Sequence, residues 1–276
     1  MLRERLVTAG LLVPIFLWVI YQGGWIYNAV VFVLLTIAVW EFFEIAAKVS
    51  LSPSRVIGLL SMWAFAAVTG VTTDNWFLPC VFAVLMITTI WHIIDYEKGA
   101  THSLQNWALS LIGPVYIGLL GGHFLSLRAL PSGQWLTLTV LPVVWISDTG
   151  AYMVGRRYGK HALARRTSPH KTWEGLAGGI AFGAVFGGSL VLLWQWIGVL
   201  SSDVLEWYQG VVIGVIVSLA GLVGDLGISL FKRQAKIKDT GRIFPGHGGV
   251  LDRIDSWLLA VASSYYYVLL LSLIHI

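Results

Sequence analysis

SLFKRQAKIKDTGRIFPGHGGVLDRID, residues 229–255, is a charged interruption between two apolar runs, 210–230 before it and 257–276 after it. Lys232, Arg233, Lys236, Lys238, Arg242 and Arg253 offer cations to anions, while Asp239, Asp252 and Asp255 offer carboxylates to cations or protons. Pro245-Gly246-His247-Gly248-Gly249 reads as a turn, because Gly and Pro both cost helix stability. Residues that oppose regular structure yet carry this much charge point to a site.

The composition around the stretch decides the class. Of 276 residues 57% are hydrophobic and only 12% charged, with 14 Trp and a mean hydropathy of +0.77. Soluble domains carry roughly 25% charged residues, and the apolar runs approach the ~20 residues that cross a bilayer core. The chain reads as an all-α polytopic membrane protein of about nine spans: 7–21, 25–47, 56–71, 76–94, 107–127, 135–155, 176–200, 210–230 and 257–276. Gly113-Pro114 breaks the fifth, and Trp25 and Tyr27 suit an interface. Residues 1–130 then form an N-terminal scaffold and 131–276 a catalytic region. The lone Cys80 excludes an intramolecular disulfide.

Charge placement orients these spans. With Arg3 and Arg5 inside, the N-terminus and the loops 48–55, 95–106, 156–173 and 231–255 hold 17 of the 18 Lys and Arg residues, leaving Arg128 outside. The outer turns carry Asp74, Asp203 and Glu206 instead. The positive-inside rule expects this bias, so the N-terminus and both strongly charged loops belong on the cytoplasmic face. The first of these loops lies in GRRYGKHALARRTSPHKTWEG, residues 155–175. Contact with anionic headgroups, worth about 1 kcal/mol per basic residue near the surface, explains the charge of the loops. It does not explain the acids, the glycines and His247 among them.

Asp148 and Asp225 lie inside apolar runs, eight residues before Arg156 and seven before Lys232. At the helical rise both sit roughly 10–12 Å below the basic loops. An unpaired, lipid-facing carboxylate there costs at least ~2.5 kcal/mol, so each is expected to face the bundle interior and meet an ion-pair partner, a metal or a substrate. Asp252 and Asp255, three apart, share a face if the helix has begun by Leu251. They either favour a helix N-terminus or, with Asp225, make an all-oxygen set suited to Mg²⁺ and substrate phosphates. Glu41 and Glu44 are also spaced to share a face and read as structural. Acids beside dense cations suggest phosphate chemistry, and no GxxxxGK[ST] marks a P-loop.

Ser229-x-x-Lys232-Arg233-x4-Lys238-Asp239-x-Gly241 followed by His247-Gly248-Gly249-x-x-Asp252-Arg253-x-Asp255 resembles the signature of the phosphatidate cytidylyltransferase (CDP-diacylglycerol synthase) family. Ser147-Asp148-Thr149-x-Ala151-Tyr152 and Ser168-Pro169-x-Lys171-Thr172-Trp173-Glu174-Gly175 form a second family-like run. The resemblance implies transfer of the cytidylyl group of CTP to phosphatidate, giving CDP-diacylglycerol and pyrophosphate. It implies Mg²⁺, with room for a second cation, held by Asp225, Asp252 and Asp255. It implies Lys232, Arg233, Lys236 and Lys238 on phosphates, and His247 donating to a phosphate or orienting a ligand. It further implies Asp148, Ser168, Lys171 and Glu174 near the nucleotide. The setting implied is a bacterial inner membrane with the site on its cytoplasmic side. Membrane lipids are the implied surroundings, a homodimer is compatible with them, and no nucleic-acid partner is implied. Two rivals stay open. A CTP-dependent polyprenol kinase would share the cations but release CDP, and a secondary transporter would also use intramembrane carboxylates.

Overall fold

The computed structural model describes residues 14–71, 75–241, 243 and 248–274. His247, Arg242, Asp74, Arg3 and Arg5 lie outside them. Among the described residues nine helices follow in order: α1 (14–22), α2 (Gly24–Ala47), α3 (Arg55–Gly70), α4 (Phe77–Glu97), α5 (Ser103–Ala129), α6 (Gly133–Tyr158), α7 (Trp173–Trp196), α8 (Trp207–Gln234) and α9 (Leu251–Ile274). Each coincides with one expected apolar run, so the all-α architecture is what forms. Seven are long and apolar enough to cross a membrane. At 16 residues α3 is shorter than the ~20 needed for a spanning helix, and the run containing α1 extends beyond the described residues. Nine is therefore an approximate span count.

Two compact units emerge, 1–126 with 231–253 and 127–230 with 254–276. Residues 231–253 thus fold with the N-terminal helices. In this first unit Gly23 and Gly24, at φ 62° and 56°, turn the chain from α1 into α2. Tyr27, expected at an interface, is instead 1% exposed and donates its hydroxyl to the Phe124 carbonyl at 3.1 Å. In α4 only Val84, Thr88 and His92 are buried, a stripe repeating every four residues. Most of the other side chains up to Ile94 are apolar and outward-facing, as lipid contact requires.

The expected break in α5 takes a definite form. Pro114 has no N–H to give the helix, and Val115–Leu119 runs as a π-helical turn before α-geometry resumes at Leu120. Gly118 within this turn lies against the Met62 backbone, where a Cβ would come within 2.6 Å of the carbonyl oxygen.

Small residues hold the second unit together. Gly179, Gly183 and Gly187 on α7 repeat every four residues, as do Gly210, Gly214 and Ser218 on α8. A Cβ on Gly214 would collide with the Gly183 carbonyl, and one on Gly187 with the Gly210 carbonyl. Ser218 Oγ donates to Gly214 O at 2.7 Å and across the helix pair to Gly179 O at 3.2 Å. Lipid supplies no hydrophobic drive between helices, so close backbone packing and such bonds must hold them together. Gly214→Val is therefore expected to destabilise the fold by about 3 kcal/mol or more. Thermal unfolding in detergent reads this, and an unchanged midpoint would refute the contact.

Between α6 and α7 the basic loop is an antiparallel hairpin, β1 (Ala162–Ala164) with β2 (Ser168–Thr172), pairing Ala162 with Thr172 and Ala164 with Ser168. Arg165 and Arg166 occupy its tip.

Candidate active site

The hairpin is locked at its root, and this aims Lys171. Thr172 caps α7, its Oγ1 accepting from the Gly175 amide at 3.1 Å. Gly155 closes on the same hydroxyl, since a Cβ there would stand 3.1 Å from Thr172 Oγ1. Glu174, in the first turn of α7, accepts from the amides of Lys160 and His161 at 3.1 and 3.3 Å and pairs with His161 Nδ1 at 2.6 Å. One carboxylate thereby ties the start of the hairpin to the helix that follows it. Its neighbour Ser168 is half-buried on β2.

Lys171 Nζ meets Asp225 Oδ2 of α8 at 2.6 Å, and Ser229 Oγ donates to Asp225 Oδ1 at 3.0 Å. This joins the hairpin run to the opening residues of the 229–255 signature region. The two charged side chains are 25% and 31% exposed, which leaves them reachable by a substrate. Beside Asp225, Gly224 brings α8 against α9, where a Cβ would collide with the Asp255 carbonyl. Asp255 is 7% exposed, and its Oδ1 accepts from the Ser256 amide at 2.6 Å. Asp225 and Asp255 thus lie along one helix contact in the second unit. Asp148 departs from expectation. It is exposed rather than packed inside, because it points away from the face of α6 whose buried Ser147 and Gly150 meet α7.

The first unit holds a separate charged cluster. Lys232 Nζ pairs with Asp252 Oδ1 at 2.7 Å, with side chains 11% and 5% exposed. Asp252 Oδ2 accepts from the Thr240 amide at 2.7 Å, Thr240 Oγ1 at 3.0 Å and the Gly249 amide at 3.1 Å. Gly248, at φ +81°, turns the chain here. Glu41 of α2 completes the arrangement. Its carboxylate accepts from the amides of Val250 and Leu251 at 2.9 and 2.8 Å and from Thr240 Oγ1 at 2.8 Å. These amides open α9, where a negative charge is favoured. A side chain on Gly241 or Gly249 would collide with that carboxylate. Glu41 does read as structural, but what it structures is the signature loop; the proximity of α2 was invisible without the fold.

Arg233, in the last turn of α8, and Lys236, Lys238 and Asp239, on the loop after it, are exposed, with Lys236 in left-handed backbone at φ 55°. Buried residues therefore shape this loop, and exposed cations are displayed from it. Helix α9 does begin at Leu251, so Asp252 and Asp255 are one turn apart. The three carboxylates expected to share a metal are each engaged with protein donors. Among the described residues no three His, Cys, Asp or Glu side chains gather closely enough to hold an ion. A cation brought by a phosphate ligand needs only one or two carboxylates from the protein.

The sequence matches the Cytidylyltransferase family over residues 3–271. It is 35% identical to a phosphatidate cytidylyltransferase of Brucella suis biovar 1, over 96% of this chain and 93% of that protein. It is 29% identical to one of Bacillus subtilis (strain 168), over 98% and 99%. It is 31% identical to one of Pseudomonas aeruginosa, over 95% and 94%.

Proposed function

The chain belongs to the cytidylyltransferase family, and from that premise we propose that it transfers the cytidylyl group of CTP to phosphatidate. A phosphate oxygen of phosphatidate attacks the α-phosphorus of CTP, the bond to the β-phosphate bridging oxygen breaks, and pyrophosphate leaves with that oxygen. CDP-diacylglycerol is the lipid product. The attacking phosphate is already ionised at neutral pH, so no strong base is required. What the reaction needs is two anions held together, which is a task for cations and positioning.

The observation that carries this reading is the Lys171–Asp225 pair. Lys171 can exchange its carboxylate partner for a phosphate oxygen at small cost, since both side chains keep solvent access. Arg233, Lys236 and Lys238 are exposed to take further phosphate oxygens, and Ser168 stands on the Lys171 strand to meet the nucleotide. Glu174 acts on the nucleotide through the hairpin it ties down. Lys232 and Asp252 bind each other and give the signature loop its shape. Mg²⁺ enters this reading as part of the substrate, carried on the CTP triphosphate, with Asp225 and Asp255 as its protein partners. His247 remains assigned to a phosphate by motif alone. We place the reaction on the cytoplasmic face of a bacterial inner membrane, where CTP is found and the basic loops belong.

The test is to incubate detergent-purified protein with phosphatidate, Mg²⁺ and CTP labelled at the α- or γ-phosphate. Label from the α-position in chloroform-soluble lipid, with γ-label in pyrophosphate, is the expected result. Label from the γ-position in lipid would mean a kinase. Transfer of neither from a folded sample would favour the transporter.

A further inference from the structure

Helix α6 is long and apolar enough to span a membrane, yet one of its outward faces is polar. Trp145, Asp148, Thr149, Tyr152 and Arg156 are all exposed, and at helical spacing they fall on one face. Ionisable groups within a span face a bundle interior or a water-filled cavity, so the exposed Asp148 means that this face borders a polar cleft. Arg156 stands in the last turn of α6, where an arginine ordinarily extends into water. Here it reaches back along the helix. Its Nη1 donates to Tyr152 Oη at 3.0 Å, and its guanidinium carbon lies 6.0 Å from the centre of that ring. The tyrosine takes one of the guanidinium N–H groups, and both side chains stay exposed.

Both ends of this face lead to the Lys171–Asp225 site, within the second unit. Gly155, which precedes Arg156, packs on Thr172, the neighbour of Lys171. At the other end Trp145 packs on Trp257 of α9 with ring centres 5.4 Å apart, two residues beyond Asp255. The chemistry of the face narrows its ligand. Guanidinium and phenol together suit a phosphate, and the exposed rings of Tyr152 and Trp145 beneath them suit acyl chains. Asp148, about two turns below Arg156, repels a phosphate from any deeper position. A phosphomonoester lipid with its headgroup at the level of Arg156 fits all of these.

We propose that Arg156 and Tyr152 receive the phosphate of phosphatidate as it comes from the bilayer, an inference that rests on the cytidylyl-transfer reading above. The test measures KM for phosphatidate, as its mole fraction in mixed micelles, beside KM for CTP. Arg156→Gln is expected to raise the phosphatidate KM about tenfold, the effect of losing one hydrogen bond to a charged group. The CTP KM and thermal stability are expected to stay unchanged. Tyr152→Phe is expected to raise the phosphatidate KM about threefold. Arg157→Gln is the control. Arg157 is also exposed and bonded to a tyrosine, Nε to Tyr158 Oη at 3.1 Å, but lies about 100° further round the helix. An unchanged phosphatidate KM in Arg156→Gln would overturn the proposal, as would an equal rise in KM for CTP or an equal effect of Arg157→Gln. Native mass spectrometry reads the site apart from the reaction. The unaltered protein is expected to bind phosphatidate about tenfold more tightly than phosphatidylglycerol of the same chains, and Arg156→Gln to lose that preference. A protein with this preference that transfers no cytidylyl group would refute the reaction and keep the site. Equal binding of the two lipids by the unaltered protein would overturn the site.

Discussion

Asp225→Asn is expected to lower turnover by at least about 10²–10³-fold, on the scale of losing one group aimed at developing charge, with little change in thermal stability. Asparagine keeps the size of the side chain and an oxygen for Ser229 Oγ, but it releases Lys171 from its ion pair. If the pair were only structural, its partial exposure would limit its worth to about 1 kcal/mol or less. A Lys171→Met/Asp225→Leu double variant would then be stable and active. The proposed chemistry requires that double variant to be stable and inactive. The comparison is made by measuring phosphatidate-dependent pyrophosphate release from CTP beside thermal unfolding. Asp225→Asn activity within a fewfold of the unaltered protein would remove this carboxylate from the reaction.

Glu41→Gln is expected to loosen the whole signature loop. The carboxylate receives three donors, Val250 N–H, Leu251 N–H and Thr240 Oγ1, and is 5% exposed. A glutamine presents one oxygen and one NH₂ to the same three donors, so at least one buried N–H or O–H is opposed by another donor. Bonds to a charged group are worth about 1.5–3 kcal/mol each, so a loss of roughly 3 kcal/mol is expected. Hydrogen exchange at residues 240–251 should accelerate, and activity should fall with the display of Lys236 and Lys238. Glu44→Gln is the control. Glu44 pairs with Arg55 at 2.7 Å, but at 45% and 40% exposure its loss should cost under about 1 kcal/mol. Unchanged exchange at 240–251 in Glu41→Gln would mean that something else anchors the loop.

The helices were legible because lipid demands long apolar runs, and every such run became a helix. The break at Gly113-Pro114 was legible for the same local reason, a proline without an N–H. The hairpin at 162–172 was not. Its strands are three and five residues long and its apolar signal is weak beside Arg165, Arg166 and Lys171, so only the pairing and the Glu174 tie define it. The signature acids were legible as important but not in their duties. That Asp252 bonds Lys232 and Thr240 could not be read from spacing, since they lie 20 and 12 residues away. The exposure of Asp148 depends on which face of α6 meets α7, a matter of glycine placement. Glu41 could be placed on a helix but not beside a loop 200 residues later, since spacing along one helix says nothing of which distant chain will arrive.

That separation has a consequence for how the protein is made. Glu41 meets Thr240, Val250 and Leu251, 199 to 210 residues downstream. At about 5–20 residues per second, roughly 10–40 s pass between synthesis of the carboxylate and arrival of its donors. Throughout that interval the nascent chain carries an acid near the end of an inserted helix with none of its eventual amides available. Helix α2 therefore carries this acid without its final partners until the chain has been made as far as Leu251. The signature loop is thus assembled last, by closure onto the oldest part of the chain. A truncation that stops before residue 240 would leave Glu41 permanently unanswered and mark the product for quality control.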